Sequence, residues 1–451
     1  MKGIANWNET PYIPANERAK SKNKPYVCRL APEKNGVSGE WIYPENSKMG
    51  GRHTLFVRKR GENQWQTAPA ENGQFSLGGL AEGCEYELYI QAENGGKSRT
   101  RLFATGAYPG TCVTYHHPED TQYDCSGRYT CSPSMVRAPS GALVASCDLF
   151  LAAGPQNLQI LFRSEDDGKT WRYVTELMPS FWGRLFVHRG ELYMLSVSKE
   201  YGDVLIGKSE DEGETWKTPT VIARGSSLFS CDGWHRAPMA MVPFGGRLWS
   251  GIEFGSWHNL QFGNSLISAD ETADLLNPES WCITEVLTDI PAQSDGTTAP
   301  AIEGNAVISP DGRLYDFLRV GSREGGGTAL ILEGNPQKPE KMLEFARYVK
   351  FPMGHTKFEL MAHAGAYYAV GNDNAPHRNV LSLYRSKNLD DWELVKHLID
   401  FKDCDPEYTA FQYPAAFIEE NTLYVLSRTA LNGAHNFHDA NYITFHKFPL
   451  K

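Results

Sequence analysis

From about residue 111 onward the chain repeats one pattern of apolar and polar positions: an apolar run, a short turn and a second apolar run. Six copies occur: SPSMVRAPSGALVAS, FWGRLFVHRGELYMLS, HRAPMAMVPFGGRLWSG, EGNAVISPDGRLYDFLR, KFELMAHAGAYYAVG and YPAAFIEENTLYVLSR. Their turn residues are Gly141, Gly190, Gly246, Gly312, Gly365 and Asn421, at intervals of 49, 56, 66, 53 and 56 residues. Repeats of this length built from short strands are typical of β-propeller blades. The pattern therefore predicts six blades.

The last repeat, which ends in DANYITFHKFPLK, is one strand short of a blade. We expect the segment from Cys112 to His116 (CVTYH) to supply the missing strand. Strands from both ends of the propeller would then close the ring, and closure removes the free sheet edges that otherwise invite association.

An eight-residue pattern, S-x-D-x-G-x-T-W, occurs twice, as SEDDGKTW (164–171) and SEDEGETW (209–216). The Asp can accept backbone N–H bonds within a turn, the Gly can take a positive φ, and the Trp can bury its ring on the next strand. This pattern is an Asp box, which we expect in the turn between the outer two strands of a blade. Eroded forms occur in blades three and five (SADETADLLNPESW and SKNLDDW), whereas blade four has none. The boxes predict architecture rather than chemistry.

The N-terminal part is a separate unit. Residues 1–23 are polar and rich in Lys and Asn, which predicts a poorly ordered lead or a strap across the surface. Residues 24–108 alternate as antiparallel strands do, with HTLFVRKR, ENQWQTA, GQFSL and CEYELYIQAE separated by Gly/Asn turns. The sequence thus predicts an all-β protein: a lead (1–23), a small β-sandwich (24–108) and a six-bladed propeller (109–451).

Part of this β-sandwich resembles a fibronectin type III module. The stretch LGGLAEGCEYELYIQAENGGKSRTRLFATG carries residues where that family has its turn leucine, its strand tyrosine and the following hairpin, namely Leu80, Tyr86, Ala92, Gly95 and Ser98. The resemblance implies a spacer or docking role, so we expect the chemistry downstream.

Composition limits the partners. The 451 residues carry a formal net charge of −10, which argues against a nucleic-acid or anionic-membrane partner because either needs a basic face. A few arginines in a pocket could still hold a small anion. The start MKGIANWNETPY lacks the apolar region of a secretory signal, so we expect a cytoplasmic protein, or a secreted one if a leader has been removed.

Nine cysteines without C-x-x-C spacing predict free, mostly buried thiols. No metal-binding motif has useful spacing, so we expect neither a metal ion nor a cofactor.

Inner strands of a propeller converge at one face, and the central funnel there is the expected site. The polar and aromatic candidates at comparable depth in blades one to six are Arg128 and Cys131, Trp182 and Arg184, His235 and Arg236, Glu303 and Asn305, His355 and Lys357, and Gln412 and Tyr413. Arg319 follows the turn of blade four, and Arg378 enters the outer part of blade five.

These residues resemble those of the sialidase superfamily. EGNAVISPDGRLYDFLR matches the blade-four pattern of that family, placing Glu303 on its glutamate and Arg319 on one of three arginines that clamp the substrate carboxylate. In HRNVLSLYRS, Arg378 precedes Ser386 by eight residues, as a second clamp arginine does. Tyr413 lies within one residue of the position of the family's tyrosine nucleophile. The resemblance implies a Glu–Tyr pair, an arginine clamp and an Asp acid/base.

The residue types suit this chemistry. An arginine fork meets a carboxylate with two parallel charge-assisted bonds, which lysine cannot reproduce. A phenol with a pKa of ~10 becomes a nucleophile only when a neighbouring carboxylate takes its proton. A neutral phenol also avoids attack by an anion on a sugar that already carries a carboxylate. The implied reaction is retaining hydrolysis through a glycosyl-tyrosine.

Two positions depart from the family pattern. Cys131 stands where the first clamp arginine belongs, and Arg128 or Arg236 is expected to supply a cation from another angle. The acid/base Asp expected before the first Asp box is missing, because that stretch reads AAGPQNLQILFRS; Asp148 and Asp232 are possible substitutes, out of register.

Three hypotheses follow, all with a carbohydrate partner. The first is an exo-acting glycosidase on a terminal acidic sugar, in which Tyr413 and Glu303 are catalytic and the substrate is bound by Arg319, Arg378, Arg236, Arg128, His235 and His355. The second is a lyase or rhamnosidase-like enzyme on uronate-containing glycans, with an arginine neutralising the carboxylate and His235, His355 or Tyr413 as acid or base. The third is a binding-only propeller, whose mark would be a funnel lined by Trp182, Trp234 and Trp257 without a close acid–base pair.

Overall fold

The computed structural model describes residues 6–7, 24–43, 51–152, 154–226, 232–296, 300–321 and 327–450. Throughout these ranges the regular structure is strand, apart from one 3-10 turn at Pro278–Ser280. Of the predicted lead (1–23), only strand β1(Asn6–Trp7) lies within the described residues, and it pairs with the outer strand of blade one. No helix in these ranges is long and apolar enough to cross a membrane.

Seven strands form the N-terminal module. They are β2(Tyr26–Glu33), β3(Gly36–Ile42), β4(His53–Lys59), β5(Gln66–Glu71), β6(Gln74–Gly78), β7(Glu85–Ala92) and β8(Arg101–Ala104). They pair in the order β2-β3-β6-β5-β4-β7-β8. Alternate positions face inward, so Trp41, Leu55, Val57, Leu88 and Phe103 are buried in a common core. The fibronectin type III assignment of this module stays a prediction.

Buried polar contacts hold the module against the propeller. Arg29 of β2 donates from Nε to the carbonyl oxygen of Val113 at 2.7 Å, on strand β9(Thr111–Tyr115). Arg101 of β8 pairs with Asp120 at 2.6 Å, and both side chains are buried. Because a buried charge is costly without its partner, these contacts fix one docking position.

Six blades follow. Blade one has β10(Tyr129–Thr130), β11(Ser134–Arg137), β12(Leu143–Phe150), β13(Gln159–Ser164) and β14(Arg172–Met178); blade two has β15(Phe181–His188), β16(Glu191–Val197), β17(Val204–Ser209) and β18(Thr220–Ala223); blade three has β19(Gly233–His235), β20(Val242–Phe244), β21(Arg247–Ser256), β22(Gln261–Asp270) and β23(Trp281–Ile283). Blade four has β24(Ala301–Ile308), β25(Leu314–Val320), β26(Thr328–Gly334) and β27(Glu344–Lys350); blade five has β28(Glu359–His363), β29(Ala366–Gly371), β30(Val380–Ser386) and β31(Glu393–Asp400); blade six has β32(Ala410–Glu419), β33(Thr422–Ala430) and β34(Tyr442–Pro449).

The predicted ring closure is confirmed. Strand β9 pairs antiparallel with β34 as the fourth strand of blade six, with Tyr115 opposite Tyr442. The six repeat turns each join the first and second main strands of a blade, as the spacing predicted. The all-β, six-bladed architecture predicted from the sequence is therefore correct.

The two S-x-D-x-G-x-T-W segments form turns with the same hydrogen bonds. They join β13 to β14 and β17 to β18, the outer strands of blades one and two. Asp166 Oδ1 accepts from the backbone N–H of Thr170 at 2.8 Å, and Asp211 does the same with Thr215. The glycine of the first turn, Gly168, has a φ of 85°. These turns brace the outer strands of blades one and two.

None of the eight cysteines that lie within the described ranges forms a disulfide bond; Cys28, Cys112, Cys131 and Cys147 are buried, and Cys404 is exposed. The ninth, Cys231, lies outside those ranges.

Candidate active site

The inner strands surround a cavity of about 1050 Å³. Every blade contributes to its wall. The lining side chains include Cys131 of blade one, Trp182 and Glu200 of blade two, His235 and Trp257 of blade three, Glu303 and Arg319 of blade four, His355 and Arg378 of blade five, and Tyr413, Arg428 and His438 of blade six.

Three inner strands are distorted at the same depth. Trp182, Glu303 and Tyr413 have positive φ values of 48°, 58° and 49°. At each, the pairing register with the next strand shifts. Such bulges redirect a side chain, and positive φ at a bulky residue is tolerated only where the surroundings enforce it. All three side chains line the cavity.

The Glu253 carboxylate of blade three stabilises the bulge at Glu303. Glu253 Oε1 accepts a hydrogen bond from the backbone N–H of Gly304 at 3.0 Å. The other oxygen of Glu253 lies 3.0 Å from His235 Nδ1. One buried carboxylate thus positions residues of blades three and four.

Glu303, Tyr413 and Arg319 form the polar centre of the cavity. Tyr413 Oη donates to Glu303 Oε1 at 2.8 Å. Arg319 Nε donates to the other oxygen, Oε2, and Nη2 donates to Tyr413 Oη at 3.4 Å. Both carboxylate oxygens are engaged, so the Glu303 carboxylate is fixed against the phenol.

Burial and charge set the protonation of this pair. Burial by itself raises the pKa of Glu303, but the charge and hydrogen bond of Arg319 outweigh burial and the pKa falls below its ordinary value. Burial and the Glu303 charge raise the pKa of Tyr413 to about 12, against the opposing charges of nearby arginines. At neutral pH a protonated phenol therefore donates to an ionised carboxylate.

Two further arginines line the same cavity and act electrostatically on Tyr413. Arg378 donates from Nη1 to Gln412 Oε1 at 2.6 Å, and Arg428 donates from Nη1 to Cys131 Sγ at 3.2 Å and from Nη2 to the carbonyl oxygen of His438. Within the described ranges neither makes an ion pair, and the buried Nε of each lacks a hydrogen-bond partner. Burial lowers the pKa of Arg378 to about 10, so it stays charged at neutral pH. Buried positive charge without a carboxylate is a site for an anion.

Sequence reasoning missed Arg428, although a signal was present. Arg428 follows the blade-six turn at Asn421 by seven residues, as Arg319 follows Gly312 in blade four. Both occupy equivalent places on the second strand of their blades, β33 and β25. Burial raises the pKa of Cys131 to about 12, so the thiol is a small neutral partner for the guanidinium.

Two predicted histidines line the cavity. His355 lies near Arg319, which donates from Nη1 to the His355 carbonyl oxygen at 3.1 Å. Burial lowers the pKa of the His355 ring to about 4, and its Nδ1 has no hydrogen-bond partner. His235 packs against the Trp182 ring, with centroids 4.5 Å apart.

Arg128 and Arg236 differ from the sequence expectation, because neither lines the cavity. Arg128 is half-buried and pairs with Asp124 at 2.8 Å. Arg236 is fully buried and donates to the carbonyl oxygen of Leu195 on blade two. Consecutive strand residues point to opposite faces, so His235 reaches the funnel while Arg236 points between blades.

The substitutes considered for the missing acid do not line the cavity either. Asp148 is buried behind the wall, where it accepts from the backbone N–H groups of Ser132 and Trp182, each at 2.7 Å. Asp232 is exposed and accepts from Ser256 Oγ at 2.7 Å.

A second carboxylate, Glu200, lines the cavity and was not predicted. It lies in the loop between β16 and β17, outside the repeated inner-strand pattern. Its Oε2 accepts from Gln156 Nε2, and burial raises its pKa.

Aromatic rings cover the wall near blades two and three. Trp182 lines this wall together with Trp257, whose side chain is 41% exposed and lies 5.1 Å from the Phe262 ring. Trp234 instead packs on Phe254, 5.1 Å away, and is not part of the wall. The cavity thus has a cationic half (blades four to six) and an aromatic half (blades one to three).

No protein-family model matches the chain, and no curated protein matches it. Solved structures do match. The α-L-arabinanase of Penicillium chrysogenum, complexed with arabinobiose, is 16% identical with a TM-score of 0.51, covering 76% of this chain and 98% of that one. The leech intramolecular trans-sialidase, complexed with 2,7-anhydro-Neu5Ac, is 11% identical with a TM-score of 0.50, covering 96% and 92%. The K499G mutant of NanB sialidase from Streptococcus pneumoniae is 11% identical with a TM-score of 0.50, covering 95% of this chain and 93% of that one. At these identities the likeness shows the fold alone.

Proposed function

We propose that the protein is a retaining, exo-acting glycoside hydrolase that removes a terminal acidic sugar, of the sialic-acid type, from glycans. The observation that carries the proposal is the partly buried Tyr413–Glu303 hydrogen bond beside two arginines, Arg378 and Arg428, that make no ion pair among the described residues. The fold it shares with sialidases and an arabinanase agrees with a glycoside hydrolase.

Arg378 and Arg428, with Arg319 beside them, bind the substrate carboxylate in this proposal. Arg319 is already paired with Glu303, whereas Arg378 and Arg428 make no ion pair among the described residues. A substrate carboxylate offsets the cost of burying those charges, and bidentate charge-assisted bonds orient the sugar ring. Arg128 and Arg236 have no part in this clamp.

The carboxylate clamp sets the anomeric carbon against Tyr413. The phenol Oη attacks that carbon, and its proton passes to Glu303 Oε1, to which it is already hydrogen-bonded. Arg319 keeps the Glu303 carboxylate in place while the proton moves. A glycosyl-tyrosine forms, and hydrolysis by water then returns the original anomeric configuration.

The lyase alternative is supported by one observation, the unpartnered Nδ1 of His355 in the same cavity. In that reaction Arg378 or Arg428 would neutralise a uronate carboxylate and His355 would take the C5 proton. A base with a pKa of about 4 is weak at neutral pH, so this observation supports the lyase less well than the Tyr–Glu pair supports hydrolysis.

One paired assay separates these reactions. The protein is incubated with an aryl sialoside and, separately, with uronate-terminated oligosaccharides, while aglycone release and the ultraviolet absorbance of an unsaturated uronate are followed. We expect aglycone release that is lost in Tyr413→Phe. New uronate absorbance would instead support the lyase, and binding without either signal would support a binding-only propeller.

We further propose that residues 24–108 are a fibronectin type III-like module with a structural role. The strand order of the module and its buried Arg101–Asp120 anchor on the propeller support a fixed spacer or brace.

A further inference from the structure

Two carboxylate side chains line the cavity within the described ranges, Glu303 and Glu200, and their surroundings differ. Glu303 is paired with Arg319 and accepts from Tyr413, which favours its ionised form. Glu200 makes no ion pair within those ranges and accepts from the neutral amide of Gln156. When two carboxylates in one site have such different environments, they take different acid–base roles.

Glu200 lies on the side of the cavity opposite the three arginines. Arg319, Arg378 and Arg428 belong to blades four, five and six, so a clamped sugar carboxylate lies in that half. The leaving group departs from the face opposite the attacking Tyr413, toward blades one to three. Glu200 belongs to that half, in the loop that follows β16, and Trp182 and Trp257 line the same half of the cavity.

We infer that Glu200 is the general acid and general base of the reaction; this inference rests on the proposed function. In the first step Tyr413 Oη bonds to the anomeric carbon and gives its proton to Glu303. The bond from that carbon to the leaving oxygen breaks, and the oxygen takes its electron pair and the Glu200 proton. In the second step water attacks the anomeric carbon and gives a proton to the Glu200 carboxylate, while the phenolate leaves and recovers its proton from Glu303.

The protonation of Glu200 suits this role. Its side chain is 8% exposed, and burial raises its pKa although His235, Tyr201 and Gln156 act in the opposite direction. Glu200 thus keeps its proton at a higher pH than an ordinary glutamate.

Three other titratable groups of the wall, His355, His438 and Glu303, are less suitable acids. Burial lowers the pKa values of His355 and His438 to about 4, so both are unprotonated at neutral pH. Glu303 is ionised. Glu200 is the remaining carboxylate on the described wall.

The test uses Glu200→Gln and two glycosides of one acidic sugar, one with an activated aryl leaving group and one with an alkyl leaving group. An aryl phenolate departs without protonation, whereas an alkoxide needs the acid. We expect kcat/KM for the alkyl glycoside to fall by about 10²- to 10⁴-fold, with a much smaller fall for the aryl glycoside. Azide attacks without a base, so it should restore aryl turnover and yield the glycosyl azide. Glu210→Gln, a carboxylate on an outer turn, is the matched control.

Gln156→Leu is a second variant that leaves Glu200 in place. The Gln156 hydrogen bond lowers the pKa of Glu200. Its loss should move the high-pH limb of kcat/KM to higher pH. The inference would be overturned by three results together. In Glu200→Gln, kcat/KM would fall equally for the aryl and the alkyl glycoside and azide would not restore turnover. In Gln156→Leu, the high-pH limb of the kcat/KM profile would stay where it is in the wild type. A wild-type protein that hydrolyses neither glycoside would instead contradict the proposed function itself.

Discussion

The Arg428 guanidinium reaches from blade six to Cys131 on blade one, donating from Nη1 to Sγ at 3.2 Å. The small thiol leaves room for the guanidinium, and Arg428 brings a positive charge to a place where blade one carries none. Its ring-facing contact with Tyr413, at 5.1 Å from the guanidinium carbon to the centroid, places that charge beside the proposed nucleophile. The site thus gathers three arginines from three adjacent blades.

The unpaired arginines should be required for substrate binding. Arg378→Lys and Arg428→Lys keep a positive charge but lose the bidentate fork, and we expect kcat/KM on an acidic glycoside to fall about 10- to 100-fold in each. Arg128→Lys, outside the cavity, is the matched control and should match the wild type. Unchanged kinetics in both cavity variants would contradict the clamp.

Glu303 should matter for stability as well as for activity. Glu303→Gln leaves the buried Arg319 without its partner, which costs about 3–5 kcal/mol in the free energy of unfolding, measured by urea denaturation. Activity should fall about 10²- to 10⁴-fold because the base is lost. The double variant Glu303→Gln/Arg319→Met should recover stability but not activity. If the free energy of unfolding of the double variant falls by the sum of the losses measured in Glu303→Gln and in Arg319→Met, the two residues are not coupled.

The acidic limb of the pH profile of kcat/KM should follow the ionisation of the Glu303 carboxyl group. Burial raises the pKa of Glu303, but the charge and hydrogen bond of Arg319 lower it by more. The acidic limb should therefore lie below the ordinary glutamate value of 4.5. Removing the charge with Arg319→Met should move the limb to higher pH in whatever activity remains. A limb that stays in place would mean that another group sets it.

The module–propeller junction should make stability depend on pH. Tyr26 of the module donates to Glu176 Oε1 at 2.5 Å, and Tyr123 donates to the same oxygen at 2.9 Å. Burial raises the pKa of Glu176 from 4.5 to about 8. In that interval the unfolded chain has lost the proton that the folded protein keeps, so stability falls as pH rises from about 4.5 to about 8.

Glu176→Gln isolates this contribution. The amide oxygen can still accept from Tyr26 and Tyr123, so the fold should be retained. We expect urea unfolding at pH 5 and pH 8 to show a smaller loss of stability in the variant, by on the order of 1 kcal/mol per pH unit. Identical pH dependence in both proteins would show that Glu176 ionises normally.

The sequence predicted Glu303 and Tyr413 because both stand at a nearly fixed distance before a repeat turn. The same repeat frame, extended to the second strand, would have found Arg428 through its equivalence to Arg319. Arg236 was misplaced because spacing gives depth but not the face of the strand, and the adjacent His235 takes the funnel side.

Glu200 could not be found this way, because it lies in a loop between the second and third strands of blade two. Loops vary in length between blades, so a repeat frame cannot assign their residues. The positive φ at Trp182, Glu303 and Tyr413 likewise depends on tertiary packing, since these residue types do not favour that conformation by themselves.

Trapping the covalent intermediate tests the central claim most directly. The probe is an analogue of the terminal acidic sugar with fluorine on the anomeric carbon and on the adjacent carbon. Fluoride leaves without protonation, while the second fluorine destabilises the oxocarbenium-like transition state and slows hydrolysis of the intermediate. We predict a mass increase of one fluorosugar on the peptide that contains Tyr413, absent in Tyr413→Phe. A label on Glu303 or Glu200, or no label in protein that hydrolyses the aryl glycoside, would contradict the tyrosine nucleophile.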